Sequence, residues 1–222
     1  MRRRPPVVVA LVATLVGLLA GACGIPLDDA PRAVVASSTT TAPGTATTVQ
    51  PGDTTAFLFF IADNHLIDID QEIPSRQPRD VLSALFAGVP AGSSADVVSQ
   101  IPTGTRLLDV RQNGNQLDVD VSKEFDNLVG AGRTQATAQI VLTATDLNGV
   151  DQVALLIDGQ QTQVFSPVSG DSDRVGACDY LNLFPTDDLL QSWPLDRKAQ
   201  RHLTTRRNML SEQCGTTPTA GN

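Results

Sequence analysis

The sequence predicts an α+β fold in which helices pack on one face of a mixed β-sheet. Two apolar segments of strand length open the folded part at 56–73, and two further strand pairs flank Asn-Gly or Asp-Gly turns. Two segments with a helical apolar stripe lie between the strand pairs. The predicted order is β-β-α-β-β-α-β-β, which places both helices in one layer on the sheet.

The first half of this order is a hairpin followed by a helix. Residues 56–62 form a continuous apolar run, and residues 66–73 alternate as a half-buried return strand. Pro78 suits the first position of a helix, and an apolar stripe continues from it until Gly88. We therefore expect strand, strand and helix within 56–88.

The second half repeats the pattern. Strands at 105–112 and 116–122 meet across the segment "NGN", and a helix follows at 133–147. Asn148-Gly149 is a typical helix stop, and the last two strands flank Asp158-Gly159. The aspartates of these strands alternate with apolar residues, as expected for the solvent face of a sheet.

Three segments resemble the GerMN domain, a family named for the sporulation and germination protein GerM. They are "IPTGTRLLDV" (101–110), "VDVSKEF" (119–125) and "QIVLTATDLNGVDQVALLIDGQ" (139–160), in the family's order. The resemblance implies a single GerMN-like domain at 56–168. GerMN domains occur in bacterial envelope lipoproteins, and no catalytic residues are established for the family, so the resemblance implies none here.

The N-terminus resembles a bacterial lipoprotein signal. Three arginines precede an apolar run that is shorter than the roughly 20 residues of a membrane span, and "LLAGAC" ends at Cys23. We expect residues 1–22 to be removed and Cys23 to be lipidated, which anchors an exported protein to the outer leaflet of the cytoplasmic membrane. The alternative is an ordinary secretory signal that leaves Cys23 as a free thiol.

Residues 23–55 are rich in Thr, Ala and Pro and contain few large apolar residues. Such a segment buries too little surface to offset its ordering entropy, so we expect a disordered tether. Lipidation of Cys23 would leave Cys178 and Cys214 as a pair in an oxidising compartment. We therefore predict a disulfide within residues 169–222, a helical C-terminal extension.

The formal charge of −8 argues against a nucleic-acid partner. Weak candidates for a metal site are the aspartates of the two hairpins, but we interpret them as a solvated sheet face and predict neither metal nor cofactor: Asp68, Asp70, Asp118 and Asp120. Five basic residues of the extension form either a solvated helix face or a docking surface for an acidic partner, anionic lipid or wall polymer: Arg197, Lys198, Arg201, Arg206 and Arg207.

Three function classes remain. The first is a non-enzymatic, lipid-anchored interaction or scaffold module that binds an envelope protein during envelope assembly or signalling. The second is a lipoprotein that binds a wall polymer or a small ligand, which requires a concave pocket. The third is an envelope hydrolase, which requires convergent acid, base or metal groups that the sequence does not supply.

Overall fold

The computed structural model of the chain describes residues 54–193 and 195–215. The expectations for the signal peptide, Cys23 and most of the tether lie outside these residues. The predicted order of elements through residue 162 is confirmed, as is the α+β class: β1 Thr54–Ala62, β2 His65–Ile73, α1 Pro78–Phe86, β3 Leu107–Asn113, β4 Gln116–Val121, α2 Gly130–Thr145, β5 Gln152–Ile157 and β6 Gln160–Thr162.

The first hairpin forms a two-stranded sheet of its own. Strands β1 and β2 pair antiparallel from Thr54↔Ile73 to Ala62↔His65. The two turn residues, Asp63 and Asn64, both have positive φ, as a two-residue turn with the twist of the flanking strands requires. The single mixed sheet that the sequence predicts is therefore divided into separate sheets.

Helix α2 explains this division because it covers the outer edge of β1. The hydroxyl of Thr143 accepts the N–H of Phe59 at 3.0 Å, and the side-chain amide of Gln139 donates to the Phe59 carbonyl at 3.0 Å. Next along the same edge, Ile61 and Val98 exchange two backbone hydrogen bonds. Side chains and a single bridge thus take the place of a neighbouring strand.

The second sheet has the order β3-β4-β5-β6, and a short strand β9 (Val175–Gly176) also pairs with β5. Strands β4 and β5 are parallel, since α2 provides the crossover between them. Strands β7 (Val164–Ser166) and β8 (Gly170–Ser172) form a third, two-stranded sheet. A 3₁₀ turn, Lys123–Asn127, buries Phe125 after β4.

Helix α2 is buried on all sides in its second half, which differs from the one-sided helix that the apolar spacing predicts. Every residue at 136–145 is buried, including Gln139 and Thr143. The extension contributes to this burial, because its 3₁₀ segment Ala177–Leu183 and strand β9 pack on α2, together with the preceding strand β7.

The extension is therefore part of the core. Tyr180 and Phe184 are buried, and so are Leu203 and Leu210 of the last helix. Two helices complete the chain, α3 (Asp187–Ser192) and α4 (Arg197–Gln213), and α4 packs on β2. Within the described ranges, none of the helices has the length and apolar character that crossing a membrane requires.

Candidate functional site

A cluster of four charged residues joins α4 to the hairpin and to the end of α2; we call Asp68, Asp146, His202 and Arg206 the His202 cluster. The Nδ1 of His202 contacts the carboxylate of Asp68, and its Nε2 lies 3.2 Å from Asp146 Oδ1. The imidazole stacks on the ring of Phe57 with centroids 3.6 Å apart. Both ring nitrogens and one ring face are therefore occupied.

The cluster has balanced charge. Arg206 Nη2 donates to the carbonyl of Thr145 at 2.6 Å, and its Nε lies 3.9 Å from Asp146 Oδ1. Asp68 is only 1 % exposed, so its carboxylate needs a positive partner to remain ionised. Two carboxylates thus meet one imidazolium and one guanidinium.

The pKa shifts follow from this geometry. Burial raises the pKa of Asp68 to about 6, although the hydrogen bond with His202 acts in the opposite direction. Burial alone would lower the pKa of His202, but its contacts with Asp146 and Asp68 outweigh burial and raise that pKa to about 9. At neutral pH the histidine is an imidazolium between two carboxylates.

This arrangement does not suit acid–base catalysis. A general base must be free to accept a proton near the operating pH, whereas His202 is already protonated and both of its nitrogens donate. No serine or cysteine side chain is hydrogen-bonded to His202 in the described part of the chain. We interpret the His202 cluster as a structural set of ion pairs that holds α4 on the hairpin.

The structure separates the four aspartates that the sequence offered as weak metal candidates. Asp68 and Asp70 lie beneath α4, where Lys198 pairs with Asp70. Asp118 accepts from Asn113 at 2.9 Å and Asp120 accepts the N–H of Gly159 at 2.9 Å, both in the second sheet. The described residues include no group of three or more His, Cys, Asp or Glu side chains that could hold a metal ion.

The solvated-face interpretation is wrong for Asp68, which is buried. Its alternation with apolar residues is the same as that of Asp118, so the pattern could not distinguish them. Asp68 is covered because α4 packs on this face of the hairpin. Asp118 and Asp120 are half-buried, on the side of β4 opposite the buried Leu117 and Val119.

The predicted basic surface of the extension is also divided. Arg206 and Lys198 contact the body of the domain, and Arg207 donates to the carbonyl of Pro185 at 2.8 Å and pairs with Asp187. Arg197 and Arg201 remain exposed. Three of the five cations thus contact other parts of the fold, and a docking role for the exposed Arg197 and Arg201 stays a prediction.

The two cysteines of the extension form a disulfide in the structure. Cys178 lies in the 3₁₀ segment and Cys214 follows the last residue of α4, with Cα atoms 5.7 Å apart. The bond ties the end of α4 to the segment that covers α2. It therefore acts on the same part of the core as the His202 cluster, from the other end of the helix.

A groove of about 820 Å³ runs along β2. Its walls are β2 with the adjoining turn, the loop at 90–97, and four residues at and before the start of α4: Trp193, Leu195, Asp196 and Ala199. Five aspartates line the groove, and no Lys, Arg or His appears among its described lining residues: Asp63, Asp68, Asp70, Asp96 and Asp196. It is an acidic, open groove with apolar side chains at its sides.

Sequence reasoning did not find the His202 cluster or this groove. His202 and Asp68 are 134 positions apart, and no local pattern relates them. One signal was available: the segment "HLIDID" carries two aspartates on the same strand face as Phe57 and Phe59, which an exposed face would not favour. A basic helix such as α4 is a suitable cover for such a face.

The fold and the site together define a small α+β domain with a structural charge cluster and an acidic groove. A protein-family model described as "Germane: Sporulation and spore germination" matches residues 57–163. The chain therefore contains a GerMN-like domain, as the resemblance in the sequence predicted. The match ends before β7, so the extension that buries α2 lies outside it.

The chain is also similar to two solved structures. The first GerMN domain of the sporulation protein GerM from Bacillus subtilis is 21 % identical, with a TM-score of 0.45 over 55 % of this chain and 97 % of that one. The tandem GerMN domains of the same protein are 21 % identical, with a TM-score of 0.47 over 57 % of this chain and 47 % of that one. A comparison with curated protein sequences finds no significant match.

Proposed function

We propose that the chain is a lipid-anchored, extracytoplasmic binding module that acts through contacts with an envelope protein and not through catalysis. The observation that carries this proposal is the groove along β2, which combines a strand, apolar side chains and carboxylates. The one histidine cluster of the described residues is held in a protonated, structural state. Binding of a partner would use the groove and does not require a catalytic histidine.

The anchor in this proposal is Cys23, because an apolar run and the segment "LLAGAC" lead up to it. The change Cys23→Ser removes the thiol that would carry the lipid. We expect the variant to leave the membrane fraction and appear in the medium, as measured by fractionation and immunoblotting. A variant that remains in the membrane fraction would show that another segment provides the anchor.

The binding function is tested by photo-crosslinking in intact membranes. A crosslinking amino acid is placed at exposed positions spread over the described surface, one variant at a time. We expect a discrete crosslinked protein from a contiguous group of these positions. If no position gives a specific adduct, the proposal of a protein partner is wrong.

The groove also supports a second candidate function, binding of a wall polymer or small ligand, because its volume suits a few sugar or amino-acid units. Trp193 is the only tryptophan of the chain and lies in the groove, so its fluorescence reports on occupancy. Soluble wall fragments that change this fluorescence saturably would favour the second function. Crosslinking to a protein from the groove would favour the first.

A further inference from the structure

Strand β2 has a free edge. On β1, the backbone groups of Phe59 and Ile61 point away from β2, because they bond to α2 and to Val98. Their register partners on β2 are Asp68 and Leu66, so the backbone groups of these residues also point away from the hairpin. The same alternation places the N–H and C=O of Asp70 on this edge.

The edge is open where it meets the groove. Among the described residues, no other backbone group pairs with the N–H or C=O of Asp70, and no strand pairs with the outer side of β2. Such an edge is a template for the addition of another strand. From Asp68 to Glu72 it offers about 14 Å at roughly 3.4 Å per residue.

The aspartates of the groove favour a positively charged ligand. Asp63, Asp96 and Asp196 line it, and none of the three forms an ion pair with a described residue. Asp68 and Asp70 line it as well, and each keeps one carboxylate oxygen buried without a hydrogen-bond partner in the described structure. A positively charged donor in the groove would pair with the exposed carboxylates of Asp63, Asp96 and Asp196.

Apolar side chains complete the groove. Ile69 and Val97 are half-buried in its walls, and Trp193 and Leu195 form the side that leads into α4. A half-exposed indole beside a strand edge is a suitable contact for alternate side chains of an added strand. The groove therefore offers backbone pairing, apolar contacts and negative charge within one surface.

We propose that the groove binds an extended segment of a partner protein that carries Lys or Arg, and that this segment pairs with the free edge of β2 as an added strand. The proposal rests on the proposed function and identifies the kind of partner it requires. Backbone pairing provides affinity, the apolar walls fix the register, and the aspartates select for basic side chains.

Other occupants fit the groove less well. An anionic lipid surface would be repelled by the aspartates. A second copy of the chain would bring the same aspartates to the groove through its own β2, and the Arg111 of its edge strand β3 is already paired with Asp109. A basic segment with an extended backbone would pair both with the free edge of β2 and with the aspartates of the groove.

The experiment screens a library of random eight-residue peptides against the full-length chain. We expect enriched peptides to contain at least two Lys or Arg residues, to alternate them with apolar residues, and to change the fluorescence of Trp193. Methylation of alternate backbone nitrogens should weaken their binding at least tenfold, because it removes the donors that pair with β2. Enriched peptides that lack basic residues, or whose affinity survives methylation, would overturn the proposal.

The groove aspartates are tested with a matched pair of variants. Replacing Asp63 and Asp96 with Asn should weaken binding of the enriched peptides at least fivefold. Replacing the exposed Asp171 and Asp173 with Asn removes the same charge outside the groove and should leave binding unchanged. Equal effects of the two double variants, or a screen that enriches nothing, would overturn the proposal.

The outcomes separate this inference from the proposed function. If membrane crosslinking gives a specific partner from positions outside the groove, the binding module stands and the β2 site is wrong. If crosslinking gives no partner anywhere, the proposed function itself is wrong.

Discussion

At the scale of single residues, His202 connects parts of the chain that are far apart in sequence. Its imidazole bridges Asp68 of β2 and Asp146, which follows α2, and it stacks on Phe57. Removing one member of a buried ion cluster leaves the others uncompensated, which typically costs about 3–5 kcal/mol. His202 is therefore expected to contribute more to stability than any other polar side chain of α4.

The pH dependence of stability should reveal this contribution. The pKa of His202 is raised from 6.5 to about 9, so its stabilisation is complete below pH 6.5 and is lost as pH rises through 9. Asp68, whose pKa is raised to about 6, is ionised throughout the range above pH 7 and so does not obscure the effect. Asp146 also faces the imidazole, and Arg206 lies beside Asp146.

We expect the change His202→Gln to destabilise the protein at pH 7 by about 2–4 kcal/mol and by less at pH 10. Thermal unfolding of the parent and the variant between pH 7 and pH 10 measures the difference. The remaining titratable groups are common to both proteins, so their contributions cancel in the comparison. If the two melting temperatures fall in parallel with pH, His202 is not an imidazolium in the native state.

In contrast to His202, Asp118 and Asp120 are expected to contribute little to stability. Asp120 accepts the N–H of Gly159, which lies in a turn where Asp158 and Gly159 both have positive φ. Asn keeps an acceptor oxygen at this position, so we expect Asp120→Asn to change the free energy of unfolding by less than about 0.5 kcal/mol. Asp120→Ala removes the acceptor and should cost about 1 kcal/mol.

Calcium provides the second part of this test, made on the double variant Asp118→Asn/Asp120→Asn. A metal ion bound above its dissociation constant would raise the melting temperature of the parent but not of the variant. We expect the melting temperature of each protein to be the same in calcium as in chelator. A shift confined to the parent would show that these carboxylates bind the ion.

At the scale of elements, the sequence predicted order and type well because local chemistry determines them. The turn at Asp63-Asn64 and the turn at Asp158-Gly159 adopt the positive φ angles that these residues tolerate. Helix α1 begins at Pro78, as expected from the fixed φ of proline. Each of these features depends on neighbours within a few residues.

The surroundings of an element depend on distant residues, and there the predictions were less complete. From Thr134 to Thr145, α2 contains no charged residue, a pattern typical of a helix that is buried on all sides. The apolar spacing alone predicted only one buried side. Gln139 and Thr143 are polar, yet both are buried and bond to the backbone of β1.

The disulfide gives a prediction at this scale. Cys178 and Cys214 enclose a loop with a sequence separation of 36 residues. On the chain-entropy model such a bond stabilises a protein by about 3–4 kcal/mol. We expect Cys178→Ala/Cys214→Ala to lose stability on this order in urea unfolding, and reduction of the parent to have a similar effect. Two alkylatable thiols in the native, unreduced protein would show that the bond is absent.

At the scale of the whole molecule, the domain is larger than its family match. The match ends at residue 163, whereas buried side chains continue through Tyr180, Leu203 and Leu210. Helix α2 has the β1 edge on one side and the extension on the other. The GerMN-like part therefore depends on residues that a family-based boundary would remove.

A truncation after residue 168 tests this dependence. It removes the cover of α2 and of Asp68, leaving apolar surface and a buried carboxylate exposed to water, so we expect a chain without cooperative thermal unfolding. Co-expression of residues 169–222 as a separate chain should restore cooperativity, because this segment carries both cysteines of the disulfide and all of α4. Circular dichroism melts of the truncated chain with and without the segment measure the effect. A truncated chain that unfolds cooperatively by itself, at a melting temperature within a few degrees of the parent, would show that the extension covers an independently folded domain.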